Sequence, residues 1–254
     1  MDKKYSASLL IIGNEILSGR TQDTNTQWIG KKLAERGIHL VEVRVVPDIE
    51  DEIVFAVNAL RKKASYLFTT GGIGPTHDDI TTESVAKAIG VPVVMSEDAR
   101  LALLSHYKRE EDLTPARLKM AQIPEGAVLV PNPVSGAPGY RIENVYVMAG
   151  VPLIMQSMLD HILPELSEDA PILSNTVTCD LPESTIAMQL AEIQKEYPMI
   201  EIGSYPHFRA GELGLSVVLR STNNLALHEA TQKVVLCLES LGGKAQAVSI
   251  QSKI

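Results

Sequence analysis

One segment of the chain, residues 69–81, concentrates residue types that can bind a phosphate. It contains three glycines, a histidine and two adjacent aspartates, Asp78 and Asp79. The segment follows the apolar run 66–68 and precedes the run 83–89, in which apolar residues recur at helical spacing. A strand, a glycine turn and a helix start in this order present backbone N–H groups and the positive end of a helix to an anion. Because two carboxylates repel a phosphate unless a divalent cation lies between them, the segment predicts a metal–phosphate site.

Two sets of ligands are expected from this segment. The metal is expected to be held by Asp78, Asp79 and His77. The phosphate contacts are expected to come from Gly71, Gly72, Gly74, Thr76 and Thr81. A purely structural interpretation remains, in which the glycines form a turn and Asp79 caps the following helix. Capping explains one aspartate but leaves the second aspartate and the histidine without a reason.

Two further polar loops follow the first two predicted strands. In the loop 13–19, Asn14 and Glu15 could bind a metal or form hydrogen bonds with a ribose or pterin. A polar turn leading into a capped helix accounts for these residues equally well. Asp48 ends the second predicted strand, and with Asp51 three residues later it has the pattern of a helix cap with a first-turn acid. On spacing alone, capping is the favoured interpretation of Asp48.

A fourth loop, residues 131–139, combines three prolines and two glycines with small side chains. This composition is typical of a stiff loop that allows close backbone approach. Its candidates for phosphate binding are Asn132, Ser135, Gly136, Ala137 and Gly139. A structured turn without a ligand is an equal alternative. Because ligands of open α/β sheets gather at the carboxyl ends of strands, we expect the four loops to lie near one site.

The composition of the 254 residues narrows the class of protein. A hydrophobic content of 45% with only 4% aromatic residues is typical of an aliphatic α/β interior. The formal net charge is −8 and no long basic run is present, so nucleic acid is not an expected partner. Cys179 and Cys237 lie far apart without a CxxC pair, which favours reduced thiols over zinc or a disulfide. The apolar stretch 9–12 is too short for a signal peptide or membrane span, so we expect a cytoplasmic protein without a membrane partner.

The order of apolar strands and amphipathic helices predicts two domains. Strands alternate with helices over residues 1–168, which indicates an α/β fold with a mostly parallel sheet and helices on both faces. An acidic, proline-bounded stretch at 164–171 marks the junction. Residues 171–254 are predicted as a small α+β domain of order β-α-β-β-α-β, with a structural or interfacial role. The predicted strands of the first domain are 6–12, 39–46, 66–68, 127–130 and 144–149, and its longer helices are 25–36, 49–63, 98–107 and 152–163.

Four separated motifs together resemble a known family. They are Gly-Gly-Ile-Gly-Pro-Thr-His-Asp-Asp-Ile-Thr (71–81), Gly-Asn-Glu-Ile-Leu-Ser-Gly (13–19), Asn-Pro-Val-Ser-Gly-Ala-Pro-Gly (132–139) and Ala-Gly-Val-Pro-Leu-Ile-Met (149–155). They resemble the molybdopterin-binding domain of the MoaB/Mog type, in the version found in competence/damage-inducible protein A and fused to some eukaryotic FAD synthases. The resemblance covers roughly residues 5–165. The tail from Pro171 is similar to the small domain that follows in the competence/damage-inducible branch.

The resemblance implies roles for individual residues. Asp79 matches the aspartate that the family uses near the metal and phosphates, and Asp48 matches a second acidic position at a strand end. This match raises Asp48 above the capping interpretation, so the expected catalytic residues are Asp79, Asp78 and Asp48. Asn14 stands where many relatives have aspartate. We expect neither the amidase domain of the bacterial family nor an FAD-synthesising domain in these residues.

The resemblance also implies an activity, with alternatives. The competence/damage-inducible branch resembles metal-dependent pyrophosphatases, which implies hydrolysis of ADP-ribose or FAD with magnesium or cobalt. The first alternative is binding or adenylylation of molybdopterin in molybdenum cofactor biosynthesis. The second is a nucleotide-binding module without turnover. In each case the expected partner is a small nucleotide or pterin, and a homo-oligomer is expected because related domains self-associate.

Overall fold

The chain folds into two compact units. The computed structural model describes residues 5–209 and 212–250. The boundary between the units lies after Asp169, except that residues 34–37 group with the second unit. No helix within the described ranges has the length and apolar composition needed to cross a membrane.

The first unit alternates strands with helices, as predicted. Its elements in chain order are β1 (Ser6–Ile12), α1 (Asn14–Leu17), α2 (Asn25–Glu35), β2 (His39–Val46), α3 (Glu50–Lys63), β3 (Tyr66–Thr70), α4 (Thr81–Ile89), β4 (Val93–Met95), α5 (Glu97–Tyr107), α6 (Pro115–Lys119), β5 (Gln122–Pro124), β6 (Val128–Val130), β7 (Gly139–Ile142), β8 (Val145–Met148) and α7 (Pro152–Ile162). Short 3-10 turns occur at Glu110–Asp112 and Leu163–Glu165.

Six strands form the central sheet of the first unit, in the order β2-β1-β3-β8-β7-β6. The strands β2, β1, β3 and β8 are parallel, and β7 runs antiparallel to both of its neighbours. The expected mostly parallel sheet is therefore confirmed. Since successive strand residues point to opposite faces, Leu9 and Phe68 enter the core beneath α2 and α7, while Leu10 and Leu67 enter the core beneath α3 and α4.

Three strands of the first unit were not predicted. The short strands β4 and β5 pair with each other in a separate two-stranded sheet. The strand β7 forms a hairpin with β8 through Glu143 and Asn144, and Glu143 has a φ of 49°. Hairpin turns with positive φ usually signal themselves by Asn-Gly or Asp-Gly. Because Glu-Asn is not such a signal, the start of this hairpin was predicted as loop.

The second unit has the predicted element order. It consists of β9 (Leu173–Cys179), α8 (Glu183–Glu196), β10 (Glu201–Arg209), β11 (Glu212–Ser221), α9 (Asn224–Ser240) and β12 (Gln246–Ile250). The sheet order is β10-β11-β9-β12 and every neighbouring pair is antiparallel. This is a split β-α-β arrangement. Its core places Val177, Val217 and Leu219 of the sheet against Ile186 of α8 and Val234 of α9.

Candidate functional site

The four loops singled out by the sequence leave the same edge of the central sheet. Three of them follow the carboxyl ends of the parallel strands β1, β2 and β3. The fourth joins the end of β6 to the start of β7, and these ends also lie at that edge because β7 is antiparallel. Backbone bonds tie neighbouring loops together, since Gly71 N donates to Met148 O at 3.1 Å and Gly13 N donates to Val46 O at 3.2 Å. The sheet topology therefore assembles one candidate site.

The glycine loop after β3 passes directly over the end of β1. Gly71 has a φ of 101°, and a Cβ atom there would lie 2.1 Å from the carbonyl oxygen of Ile12. Gly72 has a φ of 67°, and its Cβ would lie 2.2 Å from Oγ1 of Thr81. Both positions combine a left-handed backbone with a contact that admits no side chain, so only glycine fits.

Thr81 closes this loop onto the first turn of α4. Its side chain is fully buried; Oγ1 donates to Gly71 O at 2.9 Å, and its backbone N–H donates to Gly72 O at 3.0 Å. The Thr81 hydroxyl is thus used inside the loop. It holds the two glycines in place, which is a different role from the expected direct contact with phosphate.

The two aspartates gather around Thr76. The backbone N–H of Thr76 donates to Oδ2 of Asp79 at 2.8 Å. The Thr76 hydroxyl oxygen lies 2.5 Å from Oδ2 of Asp79 and 2.5 Å from Oδ1 of Asp78. A hydroxyl has one hydrogen, so it can donate fully to only one of the two carboxylates. The Thr76 hydroxyl therefore contacts two carboxylates but has a hydrogen for only one of them.

Hydrogen bonding keeps Asp78 ionised. The hydrogen bond from Thr76 and, second, a bond from its own backbone N–H hold the pKa of Asp78 below its ordinary value. Burial opposes this lowering of the pKa, and the electrostatic effects of the neighbouring His77 and Lys119, which favour it, are smaller than the effect of burial. An ionised carboxylate at the surface is the form that a divalent cation requires.

Neither Asp79 nor Asp48 caps its own helix. The helix α4 begins at Thr81 with Ile80 at the N-cap and no side-chain capping bond. The helix α3 begins at Glu50 with Ile49 at the N-cap, again without a side-chain bond. Asp48 instead accepts a hydrogen bond from the backbone N–H of Asn14 at 2.9 Å. The capping interpretation is wrong for both aspartates, and Asp48 joins the loops after β1 and β2.

Lys119 belongs to the site although no sequence signal points to it. From the end of α6, its Nζ donates to the carbonyl oxygens of Thr76 at 2.8 Å and Asp79 at 2.7 Å. These bonds bridge 43 and 40 residues of the chain. Lys119 therefore fixes the aspartate loop from outside and places a positive charge beside its carboxylates.

The expected three-ligand metal site is not assembled. The His77 side chain is 98% exposed, and its Nδ1 lies 3.9 Å from Oδ1 of Asp78. Within residues 5–209 and 212–250, no three His, Cys, Asp or Glu side chains come together as metal ligands. His77 is therefore not placed as a third ligand with Asp78 and Asp79. Two carboxylates still suit Mg²⁺, which usually takes one or two from the protein and completes its shell with water and substrate phosphates.

The loop between β6 and β7 is shaped from within by Asn132. This residue is only 6% exposed, and its Nδ2 donates to Ser135 Oγ at 2.6 Å and to Ala137 O at 2.7 Å. Its Oδ1 accepts from the backbone N–H groups of Val134 and Ser135, both at 3.1 Å. The side-chain amide of Asn132 has no N–H left for a phosphate, whereas the half-buried Ser135 accepts with its hydroxyl oxygen and keeps its hydrogen available.

Two glycines of the same loop serve packing. Gly136 has a φ of 75°, and a Cβ there would lie 2.3 Å from the Cβ of His106 in α5. Gly139 opens β7, and its Cβ would lie 2.3 Å from the carbonyl oxygen of Val147. Both residues thus let the loop lie close to its neighbours.

Two open clefts lie at this edge, one on each face of the sheet. The Tyr140 cleft is lined by residues that include Gly74, Asp79, Glu83, Lys119 and Tyr140. Glu83 Oε2 is buried there without a hydrogen-bond partner, and burial raises the pKa of Tyr140 above its ordinary value, so that Tyr140 is a neutral phenol.

The second cleft, which we term the Thr70 cleft, is lined by residues that include Ile12, Glu15, Asn25, Thr70 and Gly150. The Glu15 carboxylate folds back over Gly13, where a Cβ atom would lie 2.5 Å from both of its oxygens. Glu15, an expected site residue, therefore faces this cleft and is separate from the Asp78–Asp79 pair.

Comparison with known families divides the chain at the same point as its fold. A family described as "Probable molybdopterin binding domain" matches residues 8–168. A second family, described as "FAD synthase, middle domain", matches residues 171–242. The two matches together span nearly the whole chain.

Similar proteins occur in archaea. A protein of Caldivirga maquilingensis is 33% identical over 96% of this chain and 98% of its own length. A protein of Pyrobaculum calidifontis is 36% identical over 79% of this chain and 80% of its own length. Among solved structures, CinA of Thermoplasma acidophilum, a protein described as having unknown function, is 38% identical with a TM-score of 0.60, over 63% of this chain and 96% of that one.

Proposed function

Since the chain belongs to the molybdopterin-binding domain family of the MoaB/Mog type through residues 8–168, we propose that it is a metal-dependent hydrolase of a dinucleotide-type pyrophosphate such as ADP-ribose or FAD. The observation that carries this proposal is the oxygen cluster of Asp78, Asp79 and Thr76 beside a glycine loop at the carboxyl edge of the sheet. The match of residues 171–242 to a domain of FAD synthase supports a flavin nucleotide among the candidate substrates.

The chain's residues suit the binding of a metal–pyrophosphate pair. Asp78 and Asp79 would hold Mg²⁺ or Co²⁺, because they offer adjacent carboxylate oxygens on one loop. When bound, such an ion supplies positive charge against the phosphates and makes water a stronger acid, with a pKa that falls from about 15.7 towards 7. Lys119 keeps the carboxylates in place through the backbone of their loop.

Two loops of the site would supply hydrogen-bond donors to the phosphates. The backbone N–H groups of Gly72 and Gly74 belong to the phosphate side of the loop, and the Ser135 hydroxyl comes from the loop opposite. Fixed donors of this kind stabilise charge that develops on phosphate oxygens during cleavage, and they need no reorganisation when it develops. These groups would orient the pyrophosphate while the carboxylates hold the ion.

The two clefts favour a substrate with a group at each end of a pyrophosphate. Thr70, at one end of the glycine loop, lines the Thr70 cleft. Gly74 and Asp79, further along the same loop, line the Tyr140 cleft on the other face of the sheet. A phosphate bridge at the loop could thus have one end group on each face. A mononucleotide would use only one of the two clefts.

The experiment that tests this function is release of AMP from ADP-ribose and FAD by the purified chain, with magnesium, cobalt or EDTA. We expect metal-dependent release by the wild type, and a loss of about 10³-fold in Asp79→Asn, which keeps the size of the side chain but removes its charge. Asp180→Asn is the control, because Asp180 likewise accepts a bond from a backbone N–H, that of Lys244 at 2.8 Å, but lies in the second unit. Wild-type turnover by Asp79→Asn would contradict the proposal.

A second function is favoured by the description of the family itself, which is molybdopterin binding. In that case the glycine loop would cradle the phosphate of a pterin, and the chain would bind or adenylylate molybdopterin without cleaving ADP-ribose. Tight pterin binding without AMP release under any metal would favour this function. Nucleotide binding without either result would favour a non-catalytic module.

Light scattering of the same preparation measures the expected self-association.

A further inference from the structure

The Thr70 cleft contains two buried polar atoms that have no hydrogen-bond partner. Thr70 is 1% exposed and Asn25 is 8% exposed, and the unpaired atoms are Thr70 Oγ1 and Asn25 Oδ1. Both residues line the cleft. Native proteins seldom leave buried polar side-chain atoms unpaired, and those that occur call for an explanation. Thr69 Oγ1 is also buried without a partner, but Thr69 lines neither cleft. Thr70 and Asn25 differ from Thr69 because their two unpaired atoms belong to one cleft, where a single ligand could bond to both.

The bonding of Asn25 defines what the cleft offers. Asn25 Nδ2 donates to the carbonyl oxygen of Gly150 at 2.8 Å, which fixes the orientation of the amide and leaves Oδ1 as an acceptor. The Thr70 hydroxyl can both donate and accept. The cleft therefore presents one acceptor and one hydroxyl, and it suits a ligand that carries a donor for Asn25 Oδ1 next to a group that can form a hydrogen bond with a hydroxyl.

The remaining walls of the cleft favour an uncharged group over a phosphate without a cation. Ile11 and Ile16, whose side chains belong to the core on this face of the sheet, supply aliphatic surface, which suits the face of a flat ring. The ionisable groups that line the cleft are the carboxylates of Glu15 and Asp23. These negative charges repel an anion, so the uncharged part of a nucleotide fits here and its phosphates belong at the glycine loop.

We propose that the Thr70 cleft binds the amino-substituted edge of a nitrogen heterocycle. The exocyclic amino group donates to Asn25 Oδ1, and the Thr70 hydroxyl donates to the adjacent ring nitrogen. Adenine and pterin share this chemistry, and adenine is common to ADP-ribose and FAD. The inference rests on the proposed function, because it places the base beside the loop that would hold the pyrophosphate.

The chain provides a matched pair of variants for the test. Thr70→Val removes the hydroxyl and keeps the shape of the side chain, and Thr70→Ser restores a hydroxyl. Thr69→Val is the control, because Thr69 is equally buried on the same strand but points to the opposite face and lines neither cleft. Thermal unfolding of each variant shows that it remains folded.

Calorimetric titration of the full chain with AMP, IMP and pterin, in the presence of magnesium, measures the recognition of the base. IMP carries a carbonyl oxygen where AMP has the amino group, so it should bind about 10-fold more weakly. Thr70→Val should weaken binding of AMP by about 3- to 10-fold, while Thr69→Val and Thr70→Ser should bind AMP nearly as the wild type does. If the chain binds pterin more tightly than AMP, and Thr70→Val weakens that binding too, then pterin is the heterocycle that the cleft binds.

The outcomes separate this inference from the proposed function. If the wild type cleaves ADP-ribose but binds AMP and IMP equally, and Thr70→Val has no effect, the inference is overturned while the hydrolase proposal stands. If base discrimination depends on Thr70 but no AMP is released, the cleft is assigned correctly and the hydrolase proposal fails.

Discussion

The position of the Asp79 carboxylate can be changed without touching its charge, by the substitution Gly74→Ala. A Cβ atom at Gly74 would lie 2.6 Å from Oδ2 of Asp79 and 3.0 Å from both Cγ and Oδ1. Gly74 does not have the positive φ that marks Gly71 and Gly72, so alanine fits the backbone there. The substitution therefore displaces the Asp79 carboxylate and leaves the backbone in place.

The magnitude follows from the contact distance. To reach an ordinary contact of 3.4 Å, Oδ2 of Asp79 has to move by about 0.8 Å. It then loses much of its bonding to Thr76, whose backbone N–H and hydroxyl now lie at 2.8 and 2.5 Å. A displacement near 1 Å at a catalytic centre costs about 10²-fold in rate, or about 2.7 kcal/mol. Stability should change by less than about 1 kcal/mol, because alanine at a compatible glycine position restricts the unfolded chain.

The assay compares kcat/KM for AMP release from ADP-ribose with urea unfolding of the same protein. Gly126→Ala is the control, since Gly126 has a φ of 82° and no atom within 4 Å of a built Cβ. That control should lose about 1 kcal/mol of stability and keep full turnover, which is the opposite pattern. Wild-type kcat/KM in a folded Gly74→Ala protein would refute the reasoning that links the Asp79 position to cleavage.

Two further predictions concern loop hydrogen bonds. Thr76→Val should raise the pKa of Asp78 towards its ordinary value, which a carbon-13 carboxyl titration measures, while Asp180 serves as an unchanged reference. Because the pKa of Asp78 is lowered in the folded protein, its ionised carboxylate stabilises the fold at pH values above its ordinary pKa, near 3.9. This contribution to stability is lost as the pH falls through the pKa of the folded state. The loss of stability in acid should therefore be smaller in Thr76→Val. Asn132→Ala should cost about 2–4 kcal/mol in urea unfolding, because several buried loop groups lose their partner, whereas the exposed Asn224→Ala should stay within about 0.5 kcal/mol. An Asn132→Ala protein as stable as the wild type would contradict the bonding described for this loop.

Elements with strong periodicity were predictable from the sequence. The strands β1 and β2 were predicted with their observed ends, and α3 within one residue, because each has an unbroken apolar pattern and clear boundaries. The strand β7 was missed because its turn, Glu143-Asn144, lacks the residues that usually mark a positive φ. Short elements without a periodic pattern, such as β4 and β5, depend on pairing that only the folded chain supplies.

The roles of single side chains were less predictable than the location of the site. Spacing made helix capping a reasonable interpretation of Asp48 and Asp79, yet the structure gives them Asn14 and Thr76 as partners. Asn132 has a side-chain amide that could bind a phosphate, but this amide forms hydrogen bonds within its own loop. The residue type alone does not show whether such a side chain caps a helix, stabilises a turn or binds a ligand. The groups that surround it in the folded protein determine which of these roles it has.

The sequence by itself determined which residue types could do chemistry and that their loops follow strands of a parallel sheet. Parallel strands bring their carboxyl ends to one edge, so the sequence predicts that the four loops meet there. Only the tertiary structure revealed the bonds from Lys119 to the aspartate loop and from Asn25 to Gly150, which span up to 125 residues of the chain. Local patterns carry no information on such contacts, because they arise when packing brings distant segments together and leaves buried polar atoms to find partners.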